Sequence, residues 1–321
     1  MDDTFYPLHS FKEQFSFEPE IKHAENLTQK NNIIICGMGG SAISVSLLKV
    51  LYKDLPITLY NDYGLPVITD KENTLLILNS YSGNTEEILD VLENAKIAGI
   101  AMAAVSCGGE LLEQAERSGI PYITLPTIGI EPRFAIGHQI LALLTILNKH
   151  ELITSLKKDV QACDMVTTEQ NGKILAQSLL GKYPILYASK NLFPVAYLIK
   201  AAINEGSKIP CFVNVISEAN HNEIQGFISH ETKKEVANFM FVMFMSHEDH
   251  PRIQKRFNVM KDLYEEEGFA IAGLETYHTN HTKMFELILL GYFAATELAI
   301  LRGEDSYKTP FIQSFKKKIV S

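Results

Sequence analysis

The stretch TLLILNSYSGNTEEILDVL, residues 74–92, contains the pattern that most clearly predicts the fold class. It starts with a continuous apolar run, passes through a polar junction and ends with apolar residues at helical spacing. Continuous apolar strands that alternate with helices are typical of a parallel sheet covered on both faces. The junction itself is rich in hydroxyl side chains beyond what a turn requires, which directs attention to a ligand at this strand end.

The same strand–helix alternation extends over most of the chain. It begins near residue 31, pauses in the polar helical stretch of residues 155–181 and restarts at residue 183. We therefore expect an α/β fold with two domains, residues 1–152 and residues 153–321. Each domain is expected to be a parallel sheet flanked by helices.

Composition and charge narrow the class of protein. The chain has 321 residues, of which 46% are hydrophobic and 21% are charged, and these values are typical of a globular protein with a sizeable core. The net charge of −9 argues against nonspecific nucleic-acid binding, which requires a basic surface. A phosphorylated small molecule remains compatible with this charge, because local donors can override the overall field.

Cysteine usage and hydropathy point to the cytoplasm. The four cysteines are far apart, form no CxxC pair and are expected to be buried free thiols. The first residues are polar and acidic, unlike a signal peptide. The longest apolar run, residues 284–301, is interrupted by Glu286 and Glu297, so we expect a core helix and no membrane span.

A second junction, GMGGS at residues 37–41, has the composition of an anion-binding loop. Glycines such as Gly39 and Gly40 let backbone N–H groups approach a ligand closely, and a following helix presents its unpaired N–H donors. Ser41 adds a hydroxyl donor. Because ligands of open parallel sheets bind outside the carboxyl ends of the strands, this loop and the junction in residues 79–85 together favour a phosphate site.

In the later junction, Ser80, Ser82 and Thr85 are the candidate phosphate-binding hydroxyls. The alternative is ordinary helix capping, with Asn84 as the N-cap and Glu87 reaching back to a free N–H. Other nucleotide or nucleophile motifs do not fit: GMGGSA lacks the third glycine of a dinucleotide fingerprint, no GxxxxGK[ST] occurs, and SYSGN is not GxSxG.

GMGGSA and SYSGNTEE resemble the loops of the phosphosugar-binding SIS domain. Further along the chain, NEGSKIP, ISEANHNEIQGF and LRGEDSYKTPFIQSFKKK resemble the bifunctional phosphoglucose/phosphomannose isomerases. This resemblance implies two SIS-type αβα subdomains. It also implies interconversion of glucose 6-phosphate, mannose 6-phosphate and fructose 6-phosphate through a cis-enediol(ate), with neither metal nor other cofactor.

The resemblance assigns proton-transfer roles to Glu205 and His221. Aldose–ketose isomerisation needs a base that moves a proton between C2 and C1, and a desolvated glutamate suits this task. The local sequence of Glu205 by itself favours an exposed helix-end residue. His221 corresponds to the family's ring-opening group, which reaches the site from a second subunit and therefore implies a homodimer. Most loop histidines have no such role.

Three further residues match the family pattern. Arg133 is expected beside the enediolate oxygen, although pairing with Glu131 explains it equally well locally. Lys316 matches a lysine that assists ring opening, where the local sequence suggests only a solvated tail. Thr309 matches a threonine that leaves room for C2–C3 rotation and so admits both glucose and mannose epimers.

Two pairs of histidines have the HxxH spacing of possible metal ligands, in residues 247–250 and 278–281. Neither pair has an HExxH frame or a nearby cysteine, so we expect no metal. Two other functions share the loops: a non-catalytic phosphosugar-sensing SIS protein and an aminosugar-phosphate isomerase. The sensor is disfavoured because no basic segment is long enough for a DNA-binding domain, and the aminosugar enzyme leaves EANHNE and the Thr309–Lys316 spacing unexplained.

Overall fold

The computed structural model describes residues 4–127, 129–229 and 232–320. Contacts divide the chain into two compact units. The first unit is His9–Gln161, and the second unit combines the residues up to Leu8 with those from Ala162 onward. Each unit contains one parallel sheet flanked by helices, so the predicted α/β fold with two parallel sheets is confirmed.

In the first unit, the sheet has the strand order β2-β1-β3-β4-β5, with every neighbouring pair parallel. Its strands are β1 (Asn32–Gly37), β2 (Ile57–Tyr60), β3 (Thr74–Asn79), β4 (Ala101–Ser106) and β5 (Tyr122–Thr124). The helices of this unit are α2 (Gly39–Leu51), α3 (Glu86–Ala98), α4 (Gly109–Ser118), α5 (Ile136–Ile146) and α6 (His150–Gln161). The short helix α1 (Tyr6–His9) precedes them, and all but its last residue belong to the second unit. Every residue of β3 is buried, as its continuous apolar run predicted.

In the second unit, four parallel strands have the order β7-β6-β8-β9. The strands are β6 (Tyr183–Ala188), β7 (Phe212–Val215), β8 (Phe239–Ser246) and β9 (Ile271–Thr276). The helices are α7 (Met165–Leu179), α8 (Phe193–Ala202), α9 (Lys233–Val236), α10 (Pro251–Glu266), α11 (His281–Arg302) and α12 (Pro310–Val320).

Helix α11 contains the longest apolar run of the chain. By length and composition it is the one helix among the described residues that is long and apolar enough to cross a membrane, with a mean hydropathy of 1.8. However, 72% of the apolar window is buried inside the protein. This burial is that of a core helix, in agreement with the sequence prediction.

The cysteines also follow the sequence prediction in large part. All four are free thiols, of which Cys36, Cys163 and Cys211 are buried and Cys107 is half-buried. Burial raises the pKa of Cys36 and of Cys211 to about 12, so both thiols stay protonated.

Candidate active site

The two glycine- and hydroxyl-rich loops of the first unit follow neighbouring strands. Strands β1 and β3 pair in register, with Gly37 opposite Asn79, so both loops begin at the same edge of the sheet. A hydrogen bond from the Tyr81 N–H to the Ser41 hydroxyl oxygen, 3.2 Å long, joins them directly. The structure therefore brings the two sequence-predicted phosphate loops together.

Some hydroxyl groups in these loops keep a proton that no hydrogen bond within the loops uses. Ser41 is buried and accepts the Tyr81 N–H, which leaves its own proton to donate. Ser80 is 1% exposed, accepts the Gly83 N–H at 3.1 Å and lies 2.8 Å from the Thr85 hydroxyl. Ser80 and Thr85 have one hydroxyl proton each, and their shared hydrogen bond uses only one of the two, so the other proton remains to donate. Ser82, in contrast, is exposed and accepts the Asn84 N–H at 3.3 Å.

The helix-capping interpretation of Asn84 is wrong in detail. Helix α3 starts at Glu86 with Thr85 as its N-cap, and no side chain makes a capping hydrogen bond. The Asn84 side-chain oxygen instead accepts the Glu110 N–H at 3.0 Å, in the first turn of α4. Glu86 does occupy the first turn of α3 together with Glu87, where the helix dipole favours acidic side chains.

Gly40 allows Arg133 to approach the first loop. A Cβ atom at position 40 would lie 3.2 Å from the Pro132 carbonyl oxygen and 3.4 Å from the Arg133 Cα. The Arg133 side chain is only 8% exposed, lies 3.6 Å from the Glu131 carboxylate and covers the Phe134 ring at 4.8 Å. A buried guanidinium thus lies next to the loop of residues 37–41, and the locally expected ion pair with Glu131 is also present.

Sequence reasoning missed two groups that support these loops. Tyr81 donates from its backbone to Ser41, and its hydroxyl lies 3.5 Å from the Ile130 carbonyl oxygen. Burial raises the pKa of Tyr81, so its hydroxyl stays a donor. Asn79, fully buried at the end of β3, donates to the Ser41 carbonyl at 3.1 Å and to Gln139 at 3.2 Å. The sequence does contain a signal for Asn79, because it is a polar residue at the end of an otherwise apolar strand.

Glu205 belongs to a π-helical turn, Ile203–Ser207, that follows α8 in the second unit. The turn is fixed to α11 because Ser207 donates to the Ala295 carbonyl at 2.7 Å and accepts from the Arg302 side chain at 3.1 Å. Lys208 closes it by donating to the carbonyl oxygen of Glu205. The Glu205 side chain therefore extends from a backbone that is held on several sides.

Thr309 and Lys316 follow a segment that contacts the Glu205 turn. The Lys208 ammonium also donates to the Asp305 carbonyl at 2.9 Å. Thr309 directly precedes α12, and its carbonyl accepts the Gln313 N–H at 3.0 Å. Lys316 lies seven residues later, about two helical turns along the same face. The segment is thus a helix, Pro310–Val320, and all of its described side chains are exposed.

His221 ends a short 3₁₀ turn, Glu218–His221, after β7 and is exposed. Among the described residues, no hydrogen bond or ion pair joins its ring to another side chain. The two HxxH pairs serve elsewhere: His278 Nδ1 lies 2.7 Å from the Ser246 hydroxyl, and His247 Nε2 lies 3.2 Å from the Glu275 carboxylate. Within residues 4–127, 129–229 and 232–320, no group of three metal-ligating side chains clusters.

Comparison with known proteins shows which proteins the chain resembles. A model described as the bacterial phospho-glucose isomerase C-terminal SIS domain matches residues 168–319. The bifunctional phosphoglucose/phosphomannose isomerase of Caldicellulosiruptor bescii is 35% identical over 309 residues, covering 90% of this chain and 89% of that protein. The D-glucosamine-6-phosphate 4-epimerase of Sulfolobus acidocaldarius is 34% identical over 66% of this chain and 67% of that protein.

Solved structures agree at the level of the fold. The C-terminal domain of glucosamine-fructose-6-phosphate aminotransferase from Francisella tularensis superposes with a TM-score of 0.71 at 13% identity, covering 95% of this chain and 98% of that one. At this identity the likeness establishes the fold alone. Together with the 35% identity over nine-tenths of its length, it leads to one conclusion: the chain belongs to the bifunctional phosphoglucose/phosphomannose isomerase family.

Proposed function

We propose that this protein is an aldose–ketose isomerase that interconverts glucose 6-phosphate, mannose 6-phosphate and fructose 6-phosphate through a cis-enediol(ate). The relationship to the Caldicellulosiruptor bescii enzyme over nine-tenths of both chains carries the proposal. The reaction needs neither metal nor other cofactor when a carboxylate, a histidine and fixed cations move the protons and stabilise the charge.

The phosphate group binds to the two joined loops of the first unit. Ser41, Ser80 and Thr85 supply the hydroxyl donors counted above, and the exposed Ser82 supplies another. Backbone N–H groups at Gly39 and Gly40, where α2 begins, complete the anion contacts together with the positive end of the helix dipole.

The proton transfers belong to Glu205, His221 and Lys316. His221 and Lys316 open the sugar ring by moving a proton between the ring oxygen and the C1 hydroxyl. Glu205 then removes the C2 proton of the open aldose and returns it to C1, which converts the enediolate to the ketose. Arg133 stabilises the enediolate oxygen, since a fixed cation favours charge that develops in the transition state. Thr309 leaves space for C2–C3 rotation, so that either epimer forms.

We also propose that both halves, residues 1–152 and 153–321, are SIS domains. The protein is a cytoplasmic homodimer in this proposal, and His221 acts in the active site of the partner subunit. Two observations support the dimer. The His221 ring is exposed and has no polar partner among the described residues. Helix α12 exposes Phe311 and Phe315 at 87% and 63%, and such apolar side chains are typical of an interface.

One coupled assay tests the reaction. Purified protein with EDTA, supplied with fructose 6-phosphate, is expected to form both glucose 6-phosphate and mannose 6-phosphate. The Glu205→Gln variant is expected to lose roughly 10²–10⁴-fold in kcat while fructose 6-phosphate still binds. Glu304→Gln, an exposed glutamate, is the matched control and should keep wild-type turnover. If neither aldose forms although the sugar phosphate binds, the protein is a sensor and the isomerase proposal fails.

An aminosugar-phosphate reaction is the second candidate, favoured by the 34% identity to the glucosamine-6-phosphate epimerase. That relationship covers only two-thirds of each chain, which makes it the weaker match. Incubation with glucosamine 6-phosphate distinguishes the two, because turnover of this compound in place of fructose 6-phosphate would replace the first proposal with the second.

A further inference from the structure

Helix α10 and the turn around Asn220 enclose a cleft of about 280 Å³ in the second unit. Three cationic side chains and two exposed aliphatic side chains of the helix line it: Arg252, Lys255, Arg256, Val259 and Leu263. None of these five residues has a role in the isomerisation proposed above. The cleft therefore needs an explanation of its own.

The cleft residues of α10 form a single stripe with two different halves. Their spacing of three, four, seven and eleven residues from Arg252 places them along one face of the helix. The N-terminal half of this stripe is cationic. The C-terminal half is apolar, and Val259 and Leu263 are 46% and 48% exposed. A ligand that lies along the stripe meets positive charge at one end and an aliphatic surface at the other.

The charges of α10 are placed against the helix dipole. Acidic residues are favoured near a helix N-terminus and basic residues near its C-terminus. Helix α3 follows this rule, with Glu86 and Glu87 in the first turn and Lys96 in the last. Helix α10 has no acidic residue in its first turn and no basic residue in its last. The cations near its start thus reduce helix stability, a cost that an anionic ligand would offset.

These cations also have no carboxylate partner among the residues that the structure describes. Among the described residues, none of Arg252, Lys255 and Arg256 forms an ion pair, in a chain whose net charge is −9. By contrast, Lys261 on the same helix lies 3.8 Å from the Glu265 carboxylate. Across the cleft, the Asn220 side-chain nitrogen lies 3.3 Å from the Met260 sulfur, while its oxygen is buried and has no hydrogen-bond partner in the described structure.

We propose that this cleft binds a nucleoside diphosphate. The two phosphates lie on Arg252, Lys255 and Arg256, whose three charges match those of the ligand, and guanidinium groups suit phosphate oxygens because they donate two parallel hydrogen bonds. The ring system covers Val259 and Leu263, across the cleft from the turn that contains Asn220. The proposal does not rest on the isomerase reaction, so each of the two can fail without the other.

Calorimetric titration of the full-length protein with ADP tests the site. We expect saturable binding that fructose 6-phosphate does not displace. Arg252→Gln combined with Arg256→Gln should weaken it at least about tenfold, because each change removes a charge-assisted hydrogen bond. Leu263→Ser should weaken the binding of ADP and leave the binding of inorganic pyrophosphate unchanged. Lys261→Gln removes a cation from the same helix outside the cleft and should bind ADP within twofold of wild type.

Four outcomes would overturn the proposal. They are absence of saturation at millimolar ADP, unchanged binding by the double arginine variant, competition by fructose 6-phosphate, and equal affinity for ADP and pyrophosphate with no effect of Leu263→Ser. Sedimentation of the double variant adds a further check. If the substitutions change the oligomeric state and ADP does not bind, the stripe is a contact between copies of this chain and not a ligand site.

Discussion

Gly83 lies where two loops of the first unit approach each other most closely. Its φ is 69°, and a Cβ there would lie 1.8 Å from the Gly108 carbonyl oxygen. We expect Gly83→Ala to lower the free energy of unfolding by about 2–4 kcal/mol, from left-handed strain and overpacking together. The KM for fructose 6-phosphate should rise, because Ser80 and Thr85 must move with the loop. Urea unfolding and steady-state kinetics measure the two effects.

Gly64→Ala is the matched control for this change. Gly64 has a φ of 72°, but no atom lies within 4 Å of its added Cβ. Only the backbone strain remains, so we expect a loss of about 1–2 kcal/mol and an unchanged KM. Equal effects of the two substitutions on KM would contradict the view that the contact with Gly108 positions the phosphate loop.

Thr309 is the residue that we expect to decide the epimer. Thr309→Gln fills the space proposed for C2–C3 rotation, so mannose 6-phosphate formation should fall about tenfold or more. Glucose 6-phosphate formation should remain within about threefold of wild type, a change too small to reflect loss of a catalytic group. Thr309→Ser, which is smaller, should keep both products. An equal fall of both products in the glutamine variant would assign Thr309 a general role in place of a selective one.

Sequence reasoning succeeded for residues whose position follows from the ends of strands. The loops that contain Ser41 and Ser80 were predicted to start at one edge of the sheet, and the pairing of Gly37 with Asn79 shows that they do. The binding of phosphate by Ser41, Ser80 and Thr85 stays a prediction. Sequence reasoning failed for Asn84, because the N–H that competes for its side chain belongs to Glu110, in another helix. Such a partner depends on how elements pack, and local capping rules do not contain that information.

Helix α5 brings a histidine into the core of the first unit. His138 is 4% exposed, packs edge-on against Phe17, and has a pKa that burial lowers to about 4. In the unfolded chain the pKa is near 6.5, so between pH 6.5 and pH 4 the unfolded state binds more protons. The contribution of neutral His138 to the free energy of unfolding is therefore fully present above pH 6.5. It is lost as the pH is lowered to 4, and the loss amounts to up to about 3 kcal/mol.

His138→Gln should remove this part of the pH dependence. Urea unfolding at pH 7 and pH 4.5 should show a smaller difference for the variant than for the wild type, whatever its absolute stability. His150→Gln, an exposed histidine at the start of α6, should behave as the wild type does. Identical pH dependence in all three proteins would exclude His138 as the group responsible.

Two elements show the limits of prediction at this scale. The local sequence around Lys316 suggested only a solvated tail beside the family match, yet residues 310–320 form α12. The π-helical turn at Glu205 was also not predicted, since its shape depends on Ala295 and Arg302, about ninety residues later. Strands and helices with strong periodicity, such as β3 and α3, were predicted because their local pattern suffices.

For the whole molecule, the proposed exchange of His221 between subunits predicts complementation. Glu205→Gln and His221→Ala homodimers should each be almost inactive. In a mixed dimer, one site combines the intact Glu205 of one chain with the intact His221 of the other. After mixing in equal amounts and random exchange of subunits, activity should recover to roughly a quarter of the wild-type value, because half of the dimers have one complete site each.

The same experiment distinguishes a histidine that acts within its own chain. Every site of the mixed dimer would then lack one group, and no activity would return. Sedimentation of the mixture must show dimers, and a tag on one variant must co-purify the other, so that a lack of exchange is recognised. Inactivity in a proven mixed dimer would contradict the transfer of His221 between subunits.

The way in which the chain is divided into two units also affects how it folds during translation. The first unit is one continuous segment, His9–Gln161, whereas the second unit includes residues from both ends of the chain. Tyr307 donates to the Thr4 carbonyl at 2.6 Å across a separation of 303 positions, and the Phe5 ring lies 5.9 Å from that of Phe293. Since domains fold as units during synthesis, the first unit can fold on the ribosome. Thr4 and Phe5 cannot make their native contacts at that stage, because Phe293 and Tyr307 have not yet been translated. A nascent chain halted well beyond residue 161 should then carry a protease-resistant core with a cleavable leading end.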